Sequence, residues 1–464
     1  MKAFNISPLS GPLNFQQNKL SFIISIVLIT VVLLVSVIPS SAGLNVNKEI
    51  LDNGLTLLVA ERHNLPLVIV TIGIRAGTLA EPAEKAGLSN LTAGLITEGT
   101  SHRSGSQISE EIEFVGGSLG TSGGDDYVTI SLSILKKDVS LGFELLADII
   151  LNPVFSEEEL QKKLKRTKAA LQSGEDDPGF VASKALIKEV YGDHPYGRLI
   201  QGSEDSLDRI KREDLVEFHS DFYLPNISVM SVVGDITTPE VKVLLGKFFE
   251  GWKPANVSLP AYAPPEGVRK SKTIAIDRDL TQANIIIGHT GIRRDDPDYY
   301  AVSVMNYIFG GGGFASRLMQ SIREEQGLAY DIHSSVNSLK EGGSLRISLQ
   351  TKNESANTVI EEILREMMEM RNTPVSDAEL SDAKAFLTGV FPVRIETSRR
   401  IANFLVATEV YGLGSGYIDD YPIYIKVVTK EDILRVAREF LNTDKYILVI
   451  VADQDKALLN EKYR

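Results

Sequence analysis

The sequence contains no cysteine and only six histidines in 464 residues. Without cysteine the chain can form no disulfide, no thiolate zinc site and no cysteine nucleophile. The histidines are so widely spaced that no two lie within five residues of each other: His63, His102, His194, His219, His289 and His333. A zinc motif with two histidines on one turn of helix is therefore absent.

Basic residues are also in deficit. Lys and Arg number 48 against 61 Asp and Glu, which gives a net charge of −13 and a pI near 5.1. Nucleic-acid binding requires a basic footprint, so we expect no nucleic-acid partner. The length predicts about two to four domains rather than a single core.

The N-terminus has the features of a targeting segment rather than of a folded domain. Lys2 and Lys19 precede a charge-free apolar run, residues 22–38, and the small residues 39–42 supply a cleavage site. The run is long for the core of a signal peptide and short for a spanning helix, so a cleaved signal peptide and a membrane anchor both remain open. In either case we expect an exported protein, periplasmic or anchored facing the periplasm.

One short helix is central to the first half of the sequence. Leucines at spacings of three and four residues predict an amphipathic helix over 88–97. Asn90 and Gly94 lie one turn apart on one face of it, with Ala93 beside them. None of these three residues can act as a general base or bind a metal well.

The second half of the sequence repeats the first. Residues 153–160 match 373–380, including a Ser-x-x-Glu helix start, and the strand 229–235 matches 447–453, both at an offset of about 220 residues. Each unit mixes hairpin strands with grouped helices. We therefore predict an α+β fold of two homologous domains, each with a mixed or antiparallel sheet and helices packed on one face.

A proline-rich stretch without apolar periodicity separates the two units. The predicted boundaries are a leader at 1–42, an N-terminal domain at 43–251, a linker at 252–273 and a C-terminal domain at 274–464.

Short motifs recur in a fixed order along residues 44–453, among them Asp52-Asn53-Gly54, Ser316-Arg317-Leu318 and Gly327-Leu328-Ala329-Tyr330. Together they resemble the insulinase/pitrilysin family of metallopeptidases, in the two-domain form shared with mitochondrial processing peptidase. The resemblance implies two α/β-roll domains of about 200 residues in a clamshell-like arrangement.

The resemblance also locates a lost metal site. Catalytic members carry H-x-x-E-H on the matching helix, where the histidines bind zinc and the glutamate acts as base on a zinc-bound water. Aligned on residues 87–88, this chain has Asn90 and Gly94 in place of the histidines and Ala93 in place of the glutamate. We therefore expect no cofactor in this chain and no peptidase activity from the chain alone.

The family's third zinc ligand is a glutamate on a later helix. Its expected position falls in a window that begins at residues 169–171, on a helix end without a carboxylate. Glu175 follows, and we predict it in the loop after the helix. All three metal ligands are thus expected to be missing.

Arg323 and Tyr330 resemble an Arg/Tyr pair that some family members use to bind the substrate backbone and polarise the scissile carbonyl. Gly327 is predicted to end the helix bearing Arg323, so that Tyr330 opens the next strand. A tyrosine hydroxyl near a developing oxyanion stabilises the transition state. From the residues alone, a solvated arginine and a tyrosine packed on the core remain the alternative.

A run of four glycines, residues 310–313, precedes this pair. No Gly-Lys-Ser/Thr follows it, so it is not a phosphate loop. It is interpreted either as a flexible connection or, by resemblance to partner subunits of processing peptidases, as a substrate-contacting loop that includes Gly311 and Gly312.

Three functional hypotheses follow. The first is a non-catalytic, substrate-binding subunit of a heterodimeric zinc metallopeptidase. Its partner would carry the intact H-x-x-E-H motif and the zinc, and a peptide or unfolded protein would be the substrate. The second is a structural or peptide-binding scaffold with no role in proteolysis. The third is an active peptidase with an unorthodox site, which requires stoichiometric zinc in the purified chain.

Overall fold

The computed structural model describes residues 44–414 and 416–463. The predicted leader lies outside the described residues. Within the part of the chain that the structure describes, no helix is both long enough and apolar enough to cross a membrane.

The first half contains six strands and the helices that pack on them. In chain order these elements are β1 (Asn47–Ile50), β2 (Thr56–Glu61), β3 (Leu67–Ile74), α1 (Leu88–Leu95), α2 (Gly105–Phe114), β4 (Ser118–Ser122), β5 (Val128–Leu135), α3 (Val139–Leu151), α4 (Glu157–Glu175), α5 (Pro178–Tyr191), α6 (Glu204–Leu207), α7 (Arg212–Phe222), β6 (Ser228–Gly234) and α8 (Thr238–Phe248).

The six strands form one mixed sheet in the order β1-β2-β6-β3-β5-β4, in which only β2 and β6 run parallel. Strands β1 and β2 form an antiparallel hairpin. Gly54 in its turn has a φ of 82°, and a Cβ there would lie 2.7 Å from Asn226 Cβ. Glycine is therefore required at this turn by both backbone conformation and space.

The second half contains five strands. Its elements are β7 (Lys272–Asp277), β8 (Gln282–Gly291), α9 (Tyr299–Asn306), β9 (Ala329–Ser338), β10 (Gly343–Lys352), α10 (Ala356–Asn372), α11 (Asp377–Arg394), α12 (Ser398–Val410), α13 (Tyr417–Val427), α14 (Lys430–Phe440), β11 (Ile447–Ala452) and α15 (Gln454–Ala457). The sheet order is β7-β11-β8-β10-β9, in which only β7 and β11 run parallel.

The two sheets confirm the predicted fold class and the predicted repeat. Without β1, the first sheet has the same order and the same strand directions as the second. The matched helix starts agree as well, because Ser156 and Ser376 cap α4 and α11 by accepting a hydrogen bond from the backbone N–H three residues on. In α11 the capping box is complete, whereas in α4 only the serine half of it forms.

The halves exchange one helix each. The halves' own helices pack on one face of each sheet, as predicted, but the opposite face is covered by a helix of the other half. Helix α12 lies across β3 and β6, and α5 lies across β8 and β11. Each sheet is therefore covered on both of its faces along its central strands.

A glycine permits each of these crossings. A Cβ on Gly73 would lie 2.4 Å from Val406 Cγ1, and a Cβ on Gly288 would lie 3.0 Å from Leu186 Cδ2. The two glycines hold matching positions, because Gly73 pairs with Val229 on β6 as Gly288 pairs with Ile447 on β11. The crossings are thus related by the internal repeat.

A buried carboxylate also joins the halves. Asp126 accepts hydrogen bonds from the hydroxyl of Tyr196, from the hydroxyl of Tyr411 at 2.8 Å and from the backbone N–H of Lys340 at 3.1 Å. Tyr411 and Lys340 belong to the second half, so this side chain links the two halves directly.

The stretch predicted as a linker carries no helix or strand from 253 to 271. Trp252 at its start is buried in the first core and donates a hydrogen bond to the Tyr223 carbonyl at 2.7 Å. At its end, Lys272 already begins β7. The domain boundaries drawn from the sequence stay predictions.

Candidate functional site

Helix α1 is held in place at its N-terminus by a buried acid. It begins after Gly87, whose φ of 98° favours glycine. The carboxylate of Glu81 accepts hydrogen bonds from the backbone N–H groups of Gly87 at 3.0 Å and Ser89 at 2.9 Å, donors that lack partners inside the helix. Burial raises the pKa of Glu81 to about 8, although these hydrogen bonds favour its charged form.

On the face of α1 that matches the family's zinc motif, Asn90 and Gly94 are half-buried, and packing contacts surround them. Ala93 is fully buried in the first core. A Cβ on Gly94 would lie 2.8 Å from Nζ of Lys163, so this side chain of α4 fills the space beside the glycine. Asn90 packs against Gly123, where a Cβ would come within 2.9 Å of the asparagine.

These residues do not fit a zinc ion. An amide, a methyl group and a glycine supply none of the ligands that zinc takes in proteins, and the ammonium of Lys163 would repel a cation. Among residues 44–414 and 416–463, no three His, Cys, Asp or Glu side chains are grouped so that they could hold a metal ion.

The prediction that Glu175 lies in a loop is wrong. Helix α4 continues to Glu175, because Asp176 is its C-cap and Asp177 then caps the start of α5. The Glu175 carboxylate pairs with Lys184 of α5. The acid nearest to the expected third-ligand window is therefore engaged in a helix-to-helix ion pair.

Arg323 and Tyr330 come together on the surface of the second half, and Phe314 joins them. The guanidinium carbon of Arg323 lies 4.8 Å from the centre of the Tyr330 ring and 4.5 Å from the centre of the Phe314 ring. Tyr330 is 83% exposed and Phe314 is 59% exposed. We call these three residues the Arg–aromatic cluster. The alternative in which Tyr330 packs on the core is wrong.

The backbone around the cluster follows the sequence prediction. Arg323 lies in a helical segment with π-type turns, Met319–Glu325. Gly327 ends it with a φ of 62°, and its N–H donates to the Arg323 carbonyl at 3.0 Å. Strand β9 begins two residues later, so Tyr330 stands at its start as predicted.

The glycine run lies in packed turns rather than in a flexible connection. A π-type turn, Tyr307–Gly311, extends α9, and a short turn follows at Gly313–Ala315. A Cβ on Gly311 would lie 2.5 Å from Asn306 Nδ2, and a Cβ on Gly312 would lie 2.6 Å from the Tyr307 carbonyl oxygen. Close packing thus requires these glycines, and their contact with a substrate stays a prediction.

His194, His289 and His333 make local contacts and do not converge on one site. His194 accepts a hydrogen bond from the backbone N–H of Tyr196 at 3.2 Å and so caps the turn at Pro195–Gly197. His289 is buried against the Thr290 carbonyl, and His333 is exposed and pairs with Asp331 at 3.0 Å.

Two residues of these sites were missed by the sequence reasoning. Phe314 could have been noticed as the one large apolar side chain between the glycine run and Ser316. Lys163 belongs to the basic stretch 162–168, which contains no acid although the chain as a whole is acidic. Neither signal gives the contact itself, because each contact depends on how separate turns and helices pack together.

Comparison with known proteins assigns both halves to one family. Residues 57–204 match the profile of insulinase (peptidase family M16), and residues 209–387 match the profile described as the peptidase M16 inactive domain. An uncharacterized zinc protease of Bacillus subtilis, YmxG, is 24% identical over 404 residues, which span 86% of this chain and 97% of that protein.

Other relatives give the same result. An uncharacterized zinc protease of Rickettsia felis is 26% identical over 406 residues, covering 86% of this chain and 94% of its own length. The crystal structure of a peptidase M16 inactive domain from Pseudomonas fluorescens aligns with a TM-score of 0.83 at 27% identity, covering 88% of this chain and 98% of that one. A protease from Helicobacter pylori shows the same fold, with a TM-score of 0.82 at 19% identity over 88% of this chain and 99% of that one.

Proposed function

The chain belongs to the insulinase family, peptidase family M16, and from this premise we propose that it is a non-catalytic, substrate-binding subunit of an exported heterodimeric zinc metallopeptidase. The observation that carries the proposal is a contrast within the chain. The helix that holds zinc in catalytic members has no zinc ligand and packs against Lys163, whereas the exposed Tyr330 lies beside the half-buried Arg323.

The state of α1 argues against hydrolysis by this chain alone. No single substitution could restore a metal site there, because the positions of both histidines and of the glutamate have changed and Lys163 fills the space beside Gly94. The metal chemistry would therefore belong to a partner subunit with an intact H-x-x-E-H motif.

The Arg–aromatic cluster supports a role in holding the substrate. Arginine presents several N–H donors in a planar fork, which suits the carbonyl oxygens of a peptide backbone. The Tyr330 hydroxyl is a donor that can approach a scissile carbonyl and stabilise its oxygen as negative charge develops. Exposure of the rings leaves this face free for a peptide or an unfolded segment.

The test is reconstitution of the complex. The chain, tagged and co-purified with its native partner, is assayed for zinc content and for cleavage of a fluorogenic peptide. We expect no zinc and no cleavage for the chain alone, and both for the complex. Loss of one oxyanion donor typically costs about 10²-fold or more in kcat, so Tyr330→Phe in the complex should lower kcat by about that factor.

Matched variants separate this role from general effects. Arg269→Ala and Tyr424→Phe change surface residues outside the Arg–aromatic cluster and should leave the activity unchanged. Full activity of both the Arg323→Ala and the Tyr330→Phe complexes would contradict the proposed contribution of the pair. Stoichiometric zinc with activity in the isolated chain would favour an unorthodox peptidase instead.

The scaffold hypothesis makes a different prediction for the same preparation. A structural or peptide-binding protein would co-purify without any chain that carries H-x-x-E-H and without zinc. Export is tested separately, by fractionating cells and determining the N-terminal residue of the mature chain. A cleaved signal peptide gives a new N-terminus near residue 43, and an anchor leaves the full chain in the membrane fraction.

A further inference from the structure

A cavity of about 620 Å³ opens on the second sheet beside Tyr330. Its floor is the sheet face opposite the half's own helices, and the start of α5 forms one wall. We call it the polar trough. Its floor and walls include Asn284, Tyr330, His333, Arg346, Ser348 and Gln350.

The trough exists because α5 covers only part of the sheet. Leu186 of α5 packs over Gly288, and the helix runs along β8 and β11. Strands β10 and β9 lie beyond it, at the edge of the sheet. Their outward side chains are polar, and Asn284 and Gln350 are hydrogen-bonded to each other at 2.8 Å across the floor.

Arg346 is the charged group of the trough that lacks a counter-ion. Its Nε donates to Ser335 Oγ at 3.1 Å. Within the described residues, no carboxylate lies within 4.0 Å of its guanidinium. Asp331, the acid that lines the trough, pairs with His333 at 3.0 Å. Arg346 is thus the cation of the trough whose guanidinium is not paired with any carboxylate of the described residues, although the protein as a whole is acidic.

The position of the trough links it to the Arg–aromatic cluster. Tyr330 belongs to both, so a chain held by Arg323 and Tyr330 can continue along the floor toward Arg346. An arginine with free donors is well suited to a carboxylate, which it can bind through two parallel hydrogen bonds.

We propose that the polar trough binds a carboxylate of the peptide substrate, through Arg346. The inference rests on the proposed function, since that is what makes the ligand a peptide. The carboxylate comes either from an acidic side chain or from the C-terminus of the peptide, and the experiment distinguishes these sources.

The experiment measures peptide binding to the purified full chain, without any partner. The probes are fluorescein-labelled ten-residue peptides of one sequence: one with a central Glu and an amidated C-terminus, one with Gln in place of Glu and an amidated C-terminus, and one with Gln and a free C-terminus. We expect at least one carboxylate peptide to bind about tenfold more tightly than the Gln amide, and the preferred one identifies the source.

Arg346→Gln should abolish that difference while leaving the Kd for the Gln amide unchanged. Arg293→Gln is the matched control, an exposed arginine of the same half that pairs with Asp295 and does not line the trough. It should keep the full preference. Equal binding of all three peptides by the wild type, or an undiminished preference in Arg346→Gln, would overturn the inference.

This outcome can be told apart from failure of the proposed function. If the complex loses no activity in Arg323→Ala and Tyr330→Phe while the Arg346-dependent preference persists, the proposed subunit role falls and the trough stands as a peptide-binding site. If activity depends on Arg323 and Tyr330 but the carboxylate preference is absent, only the inference about the trough falls.

Discussion

The two halves share one backbone arrangement but differ in the side chains on the sheet face opposite each half's own helices. In the first half, β5 presents Thr129, Ser131 and Ser133, whereas in the second half β10 presents Arg346, Ser348 and Gln350. The positions correspond by register, because Thr129 pairs with Gly73 as Arg346 pairs with Gly288. The two halves therefore share strand order and register, whereas the side chains on this sheet face differ.

The two regions that resemble the family's functional sites also differ between the halves. In the first half, Lys163 fills the space beside Gly94 and Ala93 is buried, so this region serves packing. In the second half, Tyr330 and Phe314 remain exposed around Arg323. The side chains that could meet a ligand therefore lie in the second half, whereas the residues that align with the zinc motif lie in the first.

The largest expected effect on stability comes from Gly73 and Gly288, the matching glycines at which the exchanged helices cross the two sheets. Gly73→Ala would place a Cβ 2.4 Å from Val406 Cγ1 and 3.3 Å from the Tyr127 ring. Overpacking of a dense core costs about 1–3 kcal/mol. We expect the free energy of unfolding to fall by about 2–3 kcal/mol, measured by chemical denaturation.

A double variant tests whether α12 causes that loss. With Val406→Ala in place, Gly73→Ala should cost less than it does in the wild-type background, because the clashing methyl group is gone. An equal cost in both backgrounds would contradict the crossing described for the first half. Gly288→Ala, which would bring a Cβ within 2.8 Å of the Leu345 carbonyl oxygen, should be destabilising as well.

The next effect is the pH dependence of stability that Glu81, the buried acid at the start of α1, should produce. Burial raises the pKa of Glu81 from 4.5 to about 8. Between these two pH values, the folded state therefore keeps a proton on Glu81 that the unfolded state has lost. The stability that the uncharged form contributes is fully present below about pH 4.5 and is lost as the pH rises through about 8. Between about pH 6 and pH 8, the wild type should lose on the order of 2 kcal/mol more than Glu81→Gln.

The measurement is the free energy of unfolding of both proteins at several pH values. Asp125, whose pKa burial and the neighbouring Asp126 raise to about 6, is common to both proteins and cancels in the difference. Parallel pH profiles would show that Glu81 is charged in the folded protein throughout this range.

A smaller effect is expected from Phe314. Its ring holds one face of the Arg323 guanidinium, and such a contact at an exposed site contributes about 0.5–1 kcal/mol. Phe314→Ala should therefore reduce the activity of the proposed complex about two- to fivefold, and Phe314→Tyr should retain it. Activity equal to wild type in Phe314→Ala would mean that Tyr330 and the backbone hold Arg323 without help.

The smallest effect has the opposite sign. Gly94→Ala would meet only the flexible end of Lys163, which can move aside, and alanine is favoured over glycine in a helix by about 1 kcal/mol. We expect a gain of about 0.5 kcal/mol in stability and no change in the activity of the complex. Lost activity in this variant would show that the α1 face has a function beyond packing.

The sequence was sufficient for the local elements and for the repeat. The capping serines 156 and 376, the turn at Gly54 and the helix end at Gly327 each follow from one residue type with a specific backbone preference. Family motifs then located Asn90, Gly94, Arg323 and Tyr330 in the chain.

Contacts between distant segments could not be read in this way. The exchange of α5 and α12 depends on which face of each sheet is left uncovered, and the apolar pattern of a strand buried on both faces does not say which helix covers it. Tertiary packing likewise determines that Phe314 stacks on Arg323 and that Lys163 lies beside Gly94. The sequence around Phe314 and Lys163 does not indicate either contact.

The exchanged helices also bear on how such a chain could arise and how it would respond to cutting. Each half gives one helix to the other and receives one in return, which is the geometry of a domain-swapped, two-fold homodimer whose protomers have been fused through residues 253–271. A protease cut within that segment should leave two fragments that remain associated and co-elute. Separately expressed halves, by contrast, would each expose a sheet face that the intact chain buries under a helix of the other half.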